Sequence, residues 1–241
     1  MTGRAAETAD VETASDVYAS RFEGSAGRWF LRVQAETVRG MLDGLPPGGS
    51  VLDVGGGHAQ LTPLLLELGF AVTILGSRTE AEGRAAPFVS SGSVRFETGD
   101  LLAPPFPERS FDAVLSFRLL PHLHDPDPLI PALCRLARDR VILDYPSTRS
   151  VNRFAESTYG WKKGVEKTTR TFALFAPGEI EAAFAAAGFR IACARPQFLL
   201  PMVLHRMHRS ALLGRLLEAP GRWVGLTGRY GSPVIVQAVP A

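Results

Sequence analysis

Residues 50–69, SVLDVGGGHAQLTPLLLELG, are the stretch from which the fold can be predicted. Val51, Leu52 and Val54 form a short apolar run that only Asp53 interrupts, a pattern that predicts a short, buried parallel strand. Gly55, Gly56 and Gly57 follow at once and predict a tight turn that ends this strand.

The same stretch predicts a helix after the turn. Pro63 suits the first turn of a helix, because its missing N–H would have no partner there. The leucines that follow supply an apolar face, and Gly69 supplies a left-handed stop. A strand, a glycine turn and a helix start bring backbone N–H groups and a positive dipole end to one point, which suits a carboxylate or a phosphate.

The spacing of the small residues separates two classes of ligand. A dinucleotide fold requires G-x-G-x-x-G, and Gln60 occupies the place of its third glycine. Instead, an apolar pair, an acid and G-x-G-x-G, with Ala59 in the last glycine position, resemble motif I of the class I S-adenosylmethionine-dependent methyltransferases. The resemblance implies that Asp53 and the three glycines bind the methionine end of S-adenosylmethionine. The alternative is an ordinary turn of any doubly wound protein.

A departure from this family occurs after the second predicted strand, residues 70–75. The family carries an acid where this chain has Gly76, because a carboxylate can accept hydrogen bonds from both ribose hydroxyls. Gly76 and Ser77 are still predicted at the ribose, with Ser77 or Glu80 as the substitute for the acid.

Two alternatives to a methyltransferase follow from this region. The small, polar and basic residues 76–78 also suit the 2′-phosphate of NADP, and Tyr159 and Lys163 have the Y-x-x-x-K spacing of short-chain reductases. The chain lacks the G-x-x-x-G-x-G turn and the N-N-A-G segment of those reductases, which weakens an NADP-linked reductase. The second alternative is a non-catalytic binding module with a cofactor fold.

Further segments extend the resemblance. The third predicted strand, residues 94–98, precedes Asp100 and Leu101, and the family implies that Asp100 accepts the adenine amino group while Leu101 faces the ring. Asp100 could instead be a turn residue that caps the next loop. Residues 111–116, FDAVLS, match the family's fourth strand, and Phe117, also predicted to bind the cofactor, begins a segment similar to that of quinone-type methyltransferases.

The order of these segments predicts an α/β fold, a Rossmann-like seven-stranded methyltransferase sheet with N-terminal helices. Residues 1–15 are small and polar and are predicted to be disordered, which leaves a single domain at 16–241. A basic and aromatic insertion at 147–175, after the fifth strand, is predicted to be a substrate cap, because such folds form substrate sites at the carboxyl ends of their strands. A solvated surface hairpin or helix is the alternative.

The predicted activity is methyl transfer from S-adenosylmethionine to a small-molecule acceptor that is apolar, aromatic or acidic. Positive sulfur already activates the methyl group, so in-line positioning of the acceptor supplies most of the acceleration. His122, after the fourth strand, and Tyr159, in the insertion, are the predicted bases for an acceptor that must lose a proton. The alternative for His122 is a loop histidine bonded to backbone.

The composition argues against several classes of partner and of membrane attachment. Of 241 residues, 46% are hydrophobic and 21% charged, as in an ordinary globular protein, and a net charge of +2 does not argue for a nucleic-acid partner. No Cys/His spacing predicts a metal, and no apolar run reaches the length of a membrane span, so a cytoplasmic location is expected. The apolar and basic residues 198–223 predict ordinary amphipathic packing, a lid, or peripheral contact with a membrane. Nothing in the sequence predicts the oligomeric state.

Overall fold

The computed structural model describes residues 7–150, 172–201, 204–205 and 210–241. A seven-stranded sheet lies at its centre, in the order β3-β2-β1-β4-β5-β7-β6. The strands are β1 (Ser50–Val54), β2 (Ala71–Gly76), β3 (Val94–Thr98), β4 (Phe111–Ser116), β5 (Ala137–Tyr145), β6 (Phe189–Phe198) and β7 (Ser232–Pro240). Strands β1 to β5 pair parallel, and β7 runs antiparallel to β5 and β6. The predicted α/β fold with a seven-stranded sheet is confirmed.

Helices cover both faces of this sheet. Within the described ranges they are α1 (Ala9–Thr13), α2 (Asp16–Ala19), α3 (Gly24–Leu42), α4 (Thr62–Glu67), α5 (Ala86–Ser90), α6 (Leu129–Leu136), α7 (Pro177–Ala186), α8 (Ala211–Trp223) and α9 (Leu226–Tyr230). Short 3₁₀ turns lie at Ser20–Phe22, Gly56–His58, Thr79–Ala85 and Leu120–His122. None of the helices in the described part of the chain is long and apolar enough to cross a membrane.

The central strands are apolar on both sides because both faces are buried. Along β1, Val51 belongs to one hydrophobic cluster, whereas Leu52 and Val54 belong to the cluster on the opposite face. This two-sided burial is typical of parallel sheets and explains why the strand reads as a nearly continuous apolar run. Asp53 is the exception, and its side chain is fully buried.

The predicted disorder of residues 1–15 is wrong for residues 9–13, which form helix α1. Ala9 and Asp10 are fully buried there, and the carbonyl of Asp10 accepts a hydrogen bond from Ala14 N at 2.8 Å. A short polar segment can be ordered when the body of the protein provides partners for its side chains, and Asp10 has such partners at the end of β2.

Strand order reverses between β1 and β4, which lie side by side while β2 and β5 flank them. In open α/β sheets, ligands bind at the carboxyl ends of the strands where the order reverses. A ligand-binding site is therefore expected among the residues that follow β1, β2, β4 and β5.

Candidate functional site

The predicted glycine turn follows β1 directly. Gly55 adopts a left-handed conformation, with φ of 76°, and its N–H donates to the carbonyl of Leu75 at 2.8 Å. A Cβ on Gly56 would overlap the carboxylate of Asp53, and a Cβ on Gly57 would overlap the carbonyl oxygen of Ala81. Glycine is therefore required at all three positions, and the close neighbour of Gly57 in this structure is the Ala81 backbone.

Asp53 lies beneath this turn as a buried and unsatisfied carboxylate. Neither of its oxygens has a hydrogen-bond partner within the described residues. Burial, and secondarily the nearby carboxylate of Asp144, raises the pKa of Asp53 from 3.8 to about 7. Buried carboxylates are normally paired, so Asp53 has the properties of a group that awaits a cationic ligand.

His58 connects the glycine turn to the end of β4. Its Nδ1 accepts a hydrogen bond from Gln60 N at 3.2 Å, and its Nε2 lies 3.3 Å from the carbonyl oxygen of Phe117. Burial, followed by the charge of Arg118, lowers the pKa of His58 to about 3. The imidazole is thus neutral, with Nε2–H donating to Phe117, and it fixes the turn against the next strand.

Arg118 is a half-buried cation that sequence reasoning missed. Its φ is 59°, and its N–H donates to Asp144 Oδ1 at 2.6 Å, at the end of β5. Its guanidinium donates to Gln34 Oε1 at 2.7 Å and lies 3.8 Å from the ring centroid of Phe22. Burial raises the pKa of Asp144, and the charge of Arg118 opposes this increase. A charged residue two positions after the end of β4, among the apolar residues Phe117, Leu119 and Leu120, was the available signal.

The end of β2 holds a second missed residue, Asp10. Ser77 N donates to Asp10 Oδ2 at 2.7 Å, and the Ser77 hydroxyl donates to Asp10 Oδ1 at 2.5 Å. A carboxylate is thus present next to the position where the family carries an acid, but helix α1 supplies it. A Cβ on Gly76 would lie 2.5 Å from Phe96 Cζ, so a side chain at position 76 would require this ring to move. Glu80, the other predicted substitute, is exposed to solvent.

Asp100 and Leu101 follow β3, as predicted. Leu102 N donates to Asp100 Oδ1 at 2.9 Å, which is the turn-capping role considered as the alternative. Leu101 is fully buried and belongs to the core. Contact of these residues with adenine stays a prediction.

Of the two predicted bases, the structure describes only His122. His122 is half-buried in the turn after β4, and its ring centroid lies 6.1 Å from that of Tyr18 and 5.5 Å from that of Phe172. Tyr159 lies outside the described residues, as does most of the predicted cap at 147–175.

The two described ends of this insertion meet at the same edge of the sheet. Ser147 and Phe175 form a β-bridge, and Ala173 N donates to the carbonyl of Pro121 at 2.9 Å. The insertion therefore leaves and rejoins the fold beside His122. Its use as a substrate cap remains a prediction.

A family model described as a methyltransferase domain matches residues 27–194. The 2-methyl-6-phytyl-1,4-hydroquinone methyltransferase of Synechocystis sp. (strain ATCC 27184 / PCC 6803 / Kazusa) is 35% identical over 115 residues. This match covers 46% of this chain and 36% of that protein, so the chain spans only about a third of that relative's length.

Solved structures of methyltransferases share the fold. Magnesium protoporphyrin IX methyltransferase from Synechocystis PCC 6803 superposes with a TM-score of 0.64 at 19% identity, over 95% of this chain and 97% of the other. Geranyl diphosphate C-methyltransferase from Streptomyces coelicolor A3(2), in complex with S-adenosyl-L-homocysteine, gives a TM-score of 0.62 at 14% identity, over 87% and 76% of the two chains.

Proposed function

We propose that this chain, which belongs to the methyltransferase domain family, transfers the methyl group of S-adenosylmethionine to a small organic acceptor. The observation that carries the proposal is the fully buried carboxylate of Asp53, which lies beneath the glycine turn and has no hydrogen-bond partner among the residues that the structure describes. The cofactor's methionine end carries an ammonium group, and a cation at this point would supply the missing partner.

The remaining polar groups at this edge fit the other parts of the cofactor. Asp10 brings two carboxylate oxygens to the end of β2, where the ribose hydroxyls need acceptors. Each carboxylate oxygen can accept a second hydrogen bond beyond the one from Ser77. Asp100 and Leu101 follow β3 on the same edge, where they suit the adenine ring.

Catalysis in this arrangement rests on positioning. When bound, the cofactor supplies a methyl group activated by positive sulfur. The protein has to hold the acceptor against that group and exclude water, which places the acceptor between the glycine turn and the residues after β4. His122 lies at the border of this space and would take the proton of an acceptor hydroxyl or amine.

The side chains around His122 favour a planar or anionic acceptor. Tyr18, Phe22 and Phe172 present aromatic rings, and Arg118 and Arg21 lie over two of them, at 3.8 Å and 4.9 Å from the ring centroids. Such a surface can stack planar rings and attract negative charge. The related methyltransferases named above act on a hydroquinone, a porphyrin and a prenyl diphosphate, so an aromatic, isoprenoid or acidic metabolite is the proposed acceptor.

Two measurements test this proposal. Calorimetric titration with S-adenosylmethionine and with NADPH should give binding of the first and none of the second. A panel of quinols, prenyl diphosphates and aromatic acids, incubated with methyl-labelled cofactor, should then yield a labelled product. Tight NADPH binding without binding of S-adenosylmethionine would overturn the proposal in favour of a reductase.

Asp10→Asn is expected to weaken binding of S-adenosylhomocysteine by about 10- to 100-fold, the loss of one or two hydrogen bonds to a charged acceptor. The amide retains the shape of Asp10 but has neither the charge nor both acceptor oxygens. Calorimetry with S-adenosylhomocysteine and with its 2′-deoxy analogue measures the ribose contribution. Wild type should prefer the hydroxylated ligand, and the variant should lose most of that preference.

Asp16→Asn is the matched control, because Asp16 lies in the next helix, α2, and its exposed side chain is paired only with Arg84 in the described residues. It should bind both ligands as wild type does. Tighter binding by Asp10→Asn would instead mean that Asp10 blocks the ribose position. An unchanged preference for the hydroxylated ligand would mean that Asp10 does not bind the ribose.

A further inference from the structure

We infer that helix α8 is a peripheral docking surface for an anionic lipid bilayer. The observation is that this helix is oriented with its apolar side outward. Its outer face, defined as Leu212, Leu213, Leu216, Leu217, Trp223 and the following Val224, is exposed to solvent. The inference does not depend on methyl transfer.

The residues that α8 buries are small or polar. They are Gly214, Glu218 and Gly221, which recur every three or four positions and form one stripe along the helix. Because about 3.6 residues complete a turn, Leu212, Leu216 and Trp223 lie on the opposite side. Their exposed fractions are 69%, 62% and 94%. An ordinary surface helix would have the reverse arrangement.

Specific contacts fix this orientation. A Cβ on Gly214 would lie 2.7 Å from the indole of Trp29, so α8 and α3 approach more closely there than any other residue would allow. Glu218 is almost completely buried and accepts hydrogen bonds from Leu199 N and Leu200 N, both at 2.9 Å. Its Oε1 also lies 2.9 Å from Nε2 of His205. Rotation of the helix to bury its leucines would break all of these bonds.

The charged residues beside the outer face indicate an anionic partner. Arg215 and Arg222 are exposed and seven residues apart, so they lie along one flank of the outer face, and Arg229 follows in α9. Between residues 210 and 231 the only acid is Glu218, which is buried. Leucines and a tryptophan flanked by arginines are typical of helices that lie in the interface of a bilayer with anionic headgroups.

A second copy of this chain fits the surface less well. A two-fold interface places the same patch on both sides, so the arginines of each copy would approach those of the other with no exposed acid in this region to pair with them. A lipid headgroup supplies the negative charge and the acyl region supplies the apolar environment. The inference therefore commits to a membrane surface.

The test is co-sedimentation of the full chain with vesicles of phosphatidylcholine alone and of phosphatidylcholine mixed with phosphatidylglycerol. Wild type should bind the anionic vesicles at least about tenfold more strongly, and less so in high salt. The double variant Leu212→Glu, Leu216→Glu should lose most of this binding at an unchanged melting temperature. Val17→Glu, at an equally exposed position on α2, should bind as wild type does.

Tryptophan emission gives an independent readout. Anionic vesicles should shift the emission of wild type to the blue, and Trp223→Phe should show a much smaller shift although Trp29 and Trp161 remain. Absence of wild-type binding, or equal binding by the double variant, would overturn the inference. A double variant that is less stable, or that changes from dimer to monomer, would show that the protein itself or a second copy covers the face, which also overturns it.

Discussion

Gly57→Ala should lose detectable binding of S-adenosylmethionine and should unfold with a free energy lower by about 1–3 kcal/mol, the usual cost of overpacking. The added methyl group would overlap the Ala81 carbonyl oxygen and lie 3.2 Å from Ala14 Cβ. The 3₁₀ turn Thr79–Ala85 and the end of α1 would therefore both have to move. Calorimetric titration well below the melting temperature measures the binding, and urea denaturation measures the stability.

Gly40→Ala is the matched control for this experiment. Gly40 lies within helix α3, where an added Cβ meets no atom within 4 Å. The substitution should stabilise the helix by about 0.5–1 kcal/mol and leave cofactor binding unchanged. If Gly57→Ala bound the cofactor as tightly as wild type, the glycine turn could not be part of the cofactor site.

The structure changes the reason for this prediction. From the sequence alone, Gly57 is expected to be small because the cofactor approaches it, and the fold of a larger variant is expected to survive largely intact. The Ala81 carbonyl takes up the space beside Gly57 in the structure. We therefore expect a loss of stability together with the loss of binding.

The sheet and the glycine turn could be predicted because their signals are local. The apolar run before Gly55, the turn and the helix stop at Gly69 lie within twenty residues, and each has one dominant physical reading. The order of the strands then follows from the family that the motifs resemble. Local patterns therefore sufficed for the fold and for one side of the candidate site.

Asp10 could not be predicted in this way. Its partner Ser77 is 67 positions away, and the sequence around Asp10 has the composition of a disordered terminus. Because Gly76 stands where the family has an acid, the sequence indicates only that another residue must accept the hydrogen bonds of the ribose hydroxyls. Which residue does so depends on how α1 packs over the sheet, which no local pattern encodes.

Helix α8 shows a different limit. Its sequence is clearly amphipathic, and ordinary packing with the leucines inward is the usual expectation. That expectation is wrong here, because Glu218 has buried partners in Leu199, Leu200 and His205 that hold the polar side inward. Periodicity identifies the two faces of a helix, but only tertiary contacts decide which of them is buried.

Asp53→Asn is expected to weaken binding of S-adenosylmethionine by about 100-fold at pH 8, because the ammonium group would lose its charged partner. The variant should also change the pH dependence. In wild type without ligand, the pKa of Asp53 is raised to about 7, so a bound cation must displace a proton at lower pH. Wild-type affinity should rise with pH up to about 7 and level off above it, with proton release near neutrality.

The stability of the unliganded protein provides a second measurement of the same group. The pKa of Asp53 is higher in the folded state than its ordinary value of 3.8, so the folded state binds more protons between pH 4 and 7. Asp53 should therefore contribute a loss of about 4 kcal/mol as the pH rises through that range, measured as the change in the stability difference between wild type and Asp53→Asn. The lowered pKa of His58 acts in the opposite direction in both proteins, because the folded state binds fewer protons there than the unfolded state does. Calorimetry in buffers of different ionisation enthalpy counts the released protons, and thermal melts at several pH values follow the stability. Asp16→Asn, an exposed acid remote from the turn, should reproduce wild type in both. If Asp53→Asn kept the wild-type affinity and the same proton release, the buried carboxylate would not be the group that receives the cofactor's ammonium.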